Sequence, residues 1–389
     1  MNHITQHNRI DSITPYAPEL ATQGAHPIGV RTSMITLEGQ PDVAAGVQGG
    51  ALRTLPLEIW YPAPAGTPQG GTYDALLRCG EQRATLHGHA LRDAPAAAGF
   101  TAPLIMISHG YPGSRYLLVH MAERLARQGY VVAACDHAGS TYDAMDAFGF
   151  TLLHRPLDQL GVVDAMAALD GDLGTLTDCR RVGVIGYSMG GYGALITGGV
   201  GLAADAVDFE RAPPARLLER HVAGSDAHEA LMDDRIKAIL PIGPWGGLYG
   251  MWDAAGLAGL RVPALIMAGT ADEVSGYAAM RGIFEGATGV DRHLLSFANA
   301  GHNAAAPHPA PIEAYPVSDK LGWSPYLHHA DPVWDTVVMN NIAQHYAAAF
   351  FGLHLKQDTG MAGYLEDGFR GFSEGTTAGL RFESMNKGS

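Results

Sequence analysis

The sequence predicts an α/β domain built on a mostly parallel sheet with helices on both faces. Three observations carry that expectation. Short apolar runs alternate with stretches of helical spacing over most of the chain. One run, Val182 to Ile185, ends in Gly186-Tyr-Ser-Met-Gly190 and passes into small and apolar residues, the order of strand, tight turn and helix. Hydrophobic residues make up 47% of 389 and charged ones only 16%, enough for a large buried core.

Taken in order, residues 1–27 are polar and aperiodic and are expected to form an irregular arm. Strands are expected around Val30–Leu37 and Leu55–Tyr61. In the second, Leu55, Leu57 and Ile59 alternate with Pro56, Glu58 and Trp60, as in a half-buried strand. Pro62 to about Pro95 reads as surface loop with room for a short helix. Leu104–Ile107 and Tyr130–Cys135 are buried strands, and between them Leu117, Met121 and Leu125 share one helix face. Leu157 to Ala167 opens a helix that leads to the turn at Ser188. Strands at Ile236–Ile242, Pro263–Met267 and His293–Phe297 follow, with a helix around Gly276–Phe284. An amphipathic helix from Asp335 to about Leu355 completes a domain over 28–355, and 356–389 is expected to trail as a tail. Residues 202–234 and 303–332 break the alternation; excursions at strand ends commonly build substrate walls.

The balance of 25 Lys+Arg against 39 Asp+Glu gives a formal charge of −14. That argues against nucleic acid and anionic membranes as partners. The first residues lack an apolar signal-peptide core, and no run approaches the roughly 18 apolar residues of a membrane span. Cys79, Cys135 and Cys179 are odd in number and irregularly spaced, so no disulfide framework is expected. A cytoplasmic protein is the expectation.

Ser188 needs a base, and the base needs an acid to orient it. Behind such a turn the partners follow in the order serine, acid, histidine. His302 lies in a loop after a late strand and fits as base. His293 precedes that strand, His345 falls inside the last helix, and His308, His328 and His329 lie in the irregular excursion. Asp272 closes a strand ending in Gly-Thr-Ala-Asp and fits as acid; Glu273 and Asp253 are alternatives, and a helix cap is the competing role for Asp272. Backbone N–H groups of Met189 and Tyr111 are expected to receive the oxyanion. Gly110 lets the chain approach, Pro112 has no N–H to offer, and His109 reads as a structural histidine under that loop.

These residues resemble the α/β-hydrolase superfamily, in its serine branch near dienelactone-hydrolase-like and platelet-activating-factor-acetylhydrolase-like esterases. The resemblance rests on Leu57-Glu-Ile-Trp-Tyr-Pro62, Ile107-Ser-His-Gly-Tyr111, Asp136-His-Ala-Gly139, the Ser188 turn, Asp272 and Ala300-Gly-His302. Dienelactone hydrolases use cysteine where Ser188 stands, so lactone substrates do not carry over. The acetylhydrolase position for the acid, after Leu240-Pro-Ile-Gly-Pro-Trp245, offers no carboxylate, which returns the role to Asp272. The resemblance implies that His137 borders the pocket and that Trp245, with Tyr187, lines it; a packed core tryptophan is the competing reading of Trp245. It implies a serine esterase acting on a small ester through an acyl-enzyme, with no metal and no cofactor. An amidase or cyclic-amide hydrolase would use the same residues, and a non-catalytic binding protein of this fold is the reading from another class.

Overall fold

Strand-forming runs far apart in the chain lie side by side in the computed structural model, which describes residues 8–146 and 148–389. In chain order the first elements are α1 (Glu19–Thr22), β1 (Ile28–Asp42), β2 (Val47–Pro62), β3 (Gly71–Leu76), β4 (Arg83–Gly88), β5 (Leu91–Arg92), β6 (Ala102–Ser108), α2 (Val119–Arg127) and β7 (Val131–Cys135). Next come α3 (Phe148–Ala167), α4 (Gly171–Leu176), β8 (Thr177–Tyr187), α5 (Met189–Thr197), α6 (Asp226–Glu229) and β9 (Ile236–Ile242). The chain ends with α7 (Ala254–Ala258), β10 (Ala264–Gly269), α8 (Tyr277–Gly286), β11 (Arg292–Phe297), α9 (Thr336–Lys356) and β12 (Leu380–Met385).

Ten strands share one sheet in the order β12-β11-β10-β9-β8-β6-β7-β2-β1-β5. The six from β7 to β11 pair in parallel, and β2 and β12 join antiparallel at either side. Alternation along β6 explains why both faces are covered. Ile105 and Ile107 pack with α2 and α9, while Leu104 and Met106 pack with α3, α5 and α8.

Several expectations are corrected. Residues 1–7 of the expected arm lie outside the described residues, but the rest of it is held. The Asn8 side chain donates to Thr85 O and Glu313, Ile10 is buried, and Leu20 N donates to His345 Nδ1 at 3.1 Å. Pro62–Pro95 is no plain loop: β3 and β4 form a hairpin whose Tyr73 and Leu86 enter the core. The end of β2 is buried on both faces, Glu58 included; Arg92, Arg115, Tyr116 and Thr32 satisfy its carboxylate, as a buried charge requires. The tail carries β12, and Phe382 stacks on Tyr346 at 4.7 Å. With that cover in place, α9 is buried nearly all round instead of amphipathic.

Candidate active site

Ser188 stands where β8 turns into α5, with φ +53° and ψ −111°. A side chain in that left-handed region is strained and persists only when its surroundings hold it. Three backbone bonds do so: Ser188 N to Ile242 O at 2.8 Å, and Tyr192 N and Trp245 N to Ser188 O. The two flanking glycines are required by space. A Cβ at Gly186 would come 2.1 Å from Gly190 O, and one at Gly190 would come 2.0 Å from Ser108 O.

The structure brings the three sequence-predicted groups into one line. His302 Nε2 lies 2.9 Å from Ser188 Oγ, and His302 Nδ1 lies 2.8 Å from Asp272 Oδ2. The other carboxylate oxygen of Asp272 accepts from Val274 N and Ser275 N at 2.8 and 2.9 Å. Asp272 thus also organises its own turn, although the following helix α8 begins later, with Gly276 as its cap. Burial pushes the Asp272 carboxyl up, but the bond and charge of His302 and the two N–H groups outweigh it and leave its pKa below the usual value. The alternatives are placed elsewhere: Asp253 caps α7 through Gly256 N, and Glu273 is exposed.

Met189 and Tyr111 both line the cavity at Ser188. Met189 is the first residue of α5, where a helix leaves its N–H groups without intrahelical partners. Beneath Tyr111, His109 Nδ1 donates to Gly110 O at 2.7 Å, and its Nε2 accepts from His137 N at 3.1 Å. Arg155, fully buried on α3, donates to His109 O and Gly110 O and to Ser140 Oγ. Burial lowers its pKa to about 9.

His137 does not border the cavity, which corrects the expectation from resemblance. It is buried under the loop, with Nε2 2.8 Å from Ser108 Oγ and Nδ1 2.9 Å from Asp158 Oδ2. Asp158 in turn holds Arg53. A second serine–histidine–aspartate chain therefore lies within the core. The reading along the chain missed it, although His154, Arg155 and Asp158 inside an otherwise apolar helix were a visible signal that α3 carries a buried polar network.

The cavity over Ser188 measures about 340 Å³. Tyr187 and Trp245 line it as expected, the former with its hydroxyl on Asn303 Oδ1 at 3.1 Å. Trp245 also packs, stacked on Tyr249 at 4.7 Å and edge-on to Phe148 at 5.0 Å, and Phe148 meets Tyr111 at 5.2 Å. Arg211 from 202–234 and Asn303 and His328 from 303–332 reach the same space, joined by Arg78. Among the described residues, no group of three or more His, Cys, Asp or Glu is gathered for a metal, and no helix is long and apolar enough to cross a membrane.

The PET hydrolase-like family model matches residues 82–208, a stretch that contains Tyr111 and Ser188 and stops before Asp272 and His302. Cutinases est2 and est1 of Thermobifida alba are each 34% identical over 110 residues, 28% of this chain. The match spans about a third of the length of those relatives, 33%. A ferulic acid esterase from Streptomyces cinnamoneus superposes with a TM-score of 0.60 over 97% of this chain and 99% of its own, at 20% identity. The chain has the α/β-hydrolase fold, and its likenesses lie among esterases.

Proposed function

We propose that this chain is a serine hydrolase that cleaves a carboxylic ester of a small, largely apolar substrate. One observation carries the reading: a strained serine, hydrogen-bonded to His302 and through it to Asp272, faces a cavity. Ser188 Oγ attacks the acyl carbon while His302 Nε2 takes its proton, and the ionised Asp272 stabilises the imidazolium. The N–H groups of Tyr111 and Met189 receive the oxyanion. The ester C–O bond then breaks, and the alcohol leaves with the proton from His302. Water attacks the acyl-enzyme, giving its proton to His302, and the acid departs as Ser188 is restored.

A cavity of about 340 Å³ is small for a ligand site and suits a compact acyl or alcohol group. Its aromatic wall of Tyr111, Phe148, Trp245 and Tyr249 supports a flat or branched apolar body. The named likenesses, cutinases and a ferulic acid esterase, point to the same bond. A reducing compartment, the cytoplasm, is supported by Cys79, Cys135 and Cys179, all unpaired.

The test is a panel of para-nitrophenyl esters with matched anilides, followed by an aryl phosphonate and peptide mass mapping. Ester turnover well above anilide turnover, with the phosphonyl group on Ser188, is expected. A folded protein that turns over neither and takes no label rejects the assignment, and anilides cleaved as fast as esters convert it to an amidase.

A further inference from the structure

Two arginines line the same cavity as Ser188. Arg78 lies between β3 and β4, and Arg211 lies in the 202–234 insertion; both line the cavity. No Asp or Glu is among the described residues lining it, although acids outnumber bases 39 to 25 in the chain. Four carboxylates of the flanking segments hold other cations. Asp208 and Glu219 hold Arg216, Asp74 holds Arg83, and Glu81 faces Lys320. What the two arginines meet is aromatic: Arg211 Cζ lies 3.9 Å over the Phe148 ring, and Arg78 Cζ lies 6.0 Å from the Tyr142 ring centre.

Both charges act at one rim. Burial raises the Tyr111 hydroxyl pKa, Arg211 and Arg78 pull it back, and Asp146 adds to the rise. Tyr111 Oη donates to the Asp146 backbone carbonyl at 2.9 Å, which fixes the ring. Two guanidinium groups in one concave site whose described lining holds no Asp or Glu concentrate anions there. A guanidinium presents a planar fork that matches a carboxylate.

We propose that the site takes esters that also carry a carboxylate, with Arg78 and Arg211 as its anion subsite and the wall of Phe148, Trp245 and Tyr249 holding the apolar or aromatic body between. The inference rests on the ester-hydrolase reading above. It adds to that reading the charge of the substrate: a half-ester of a dicarboxylic acid is the class that fits. Arg211 is largely exposed, so the subsite steers and orients an anion, and the reacting carbonyl is left to Ser188 and the loop donors.

The experiment uses para-nitrophenyl esters whose acyl chains, from short to long, end in a carboxylate, a carboxamide or a methyl group. The carboxamide matches the carboxylate in size and polarity without its charge. At low salt, kcat/KM should favour the carboxylate over the carboxamide at one preferred chain length, and added sodium chloride should erode that preference. Arg78→Gln and Arg211→Gln should each cut the carboxylate-to-carboxamide ratio about 3- to 30-fold. Arg78→Lys should restore part of it. Equal turnover of carboxylate and carboxamide esters at every length, or a preference that survives in the double variant, overturns the inference alone. A folded wild-type protein that cleaves no ester in the set overturns it together with the reading beneath it.

Discussion

Two serine–histidine–aspartate chains lie side by side at the ends of adjacent strands, and only one of them opens to the cavity. Ser108 ends β6 and pairs in register with Gly186, two residues before Ser188. The distances barely differ: 2.8 and 2.9 Å in the Ser108–His137–Asp158 chain, 2.9 and 2.8 Å in the Ser188–His302–Asp272 chain. Their surroundings differ in kind. Ser108 sits in regular strand and is 0% exposed, with its carbonyl pressed close to Gly190. Ser188 is lifted by a positive φ, is 8% exposed and faces about 340 Å³ of open cavity.

Hydrogen-bond order among three residue types therefore does not make a nucleophile. Ser188 adds access and a strained backbone turn at the start of α5. The buried chain has another use. His137 N holds His109, and Arg155 holds the carbonyls of His109 and Gly110, so the core network fixes the loop that carries Tyr111. In the proposed hydrolase, one chain reacts and the other supports its loop.

The sharpest way to break this contrast is to remove each hydroxyl. Ser188→Ala should lower kcat on an activated ester by about 10³-fold or more. Ser108→Ala should keep kcat within about tenfold, because its loss touches only the loop support. Comparable losses in two folded variants, read by steady-state kinetics, would erase the distinction.

Removing each carboxylate charge should separate catalysis from stability. Asp272→Asn is expected to cut kcat by roughly 10²- to 10⁴-fold through loss of the oriented imidazole, with a small change in urea midpoint. Asp158→Asn should instead lower unfolding stability by about 3–5 kcal/mol, since it leaves half-buried Arg53 and buried His137 without that partner. Urea denaturation and kinetics on both variants decide it; a crippled but fully stable Asp158→Asn would make the buried chain part of the chemistry.

The smallest effect is one of pH. Burial, with Arg155 adding to it, lowers the His137 pKa from 6.5 to about 3. Between those values the unfolded chain binds a proton that the folded one refuses, so stability is present above pH 6.5 and falls on acidification toward pH 3. His137→Asn should flatten that slope by up to about 1.4 kcal/mol per pH unit. The slope owed to other buried histidines, His120 and His308 among them, should remain. An unchanged slope in denaturation series at several pH values would mean that His137 is protonated in the folded protein.

The sequence by itself marked where along the chain the parallel strands lie, the serine turn, and which histidine and aspartate could reach it. These are local properties. Apolar periodicity marks a strand wherever the strand lies, and close packing of strand and helix demands Gly186 and Gly190 on either side of Ser188. Asp272 and His302 were legible because each directly follows a strand, and parallel neighbours deliver their ends to one edge of the sheet. Tertiary structure decided whatever depends on segments distant in sequence. Glu58 tolerates burial because Arg92 and Arg115 arrive from elsewhere. The polar stretch after Asn8 and the strand β12 are ordered by partners distant in the chain: His345 bonds Leu20 across 325 residues, and β11 pairs with β12. His137, two residues beyond β7, was expected at the cavity. Asp158 and Ser108 draw it into the core, because there both nitrogens of the buried imidazole find partners.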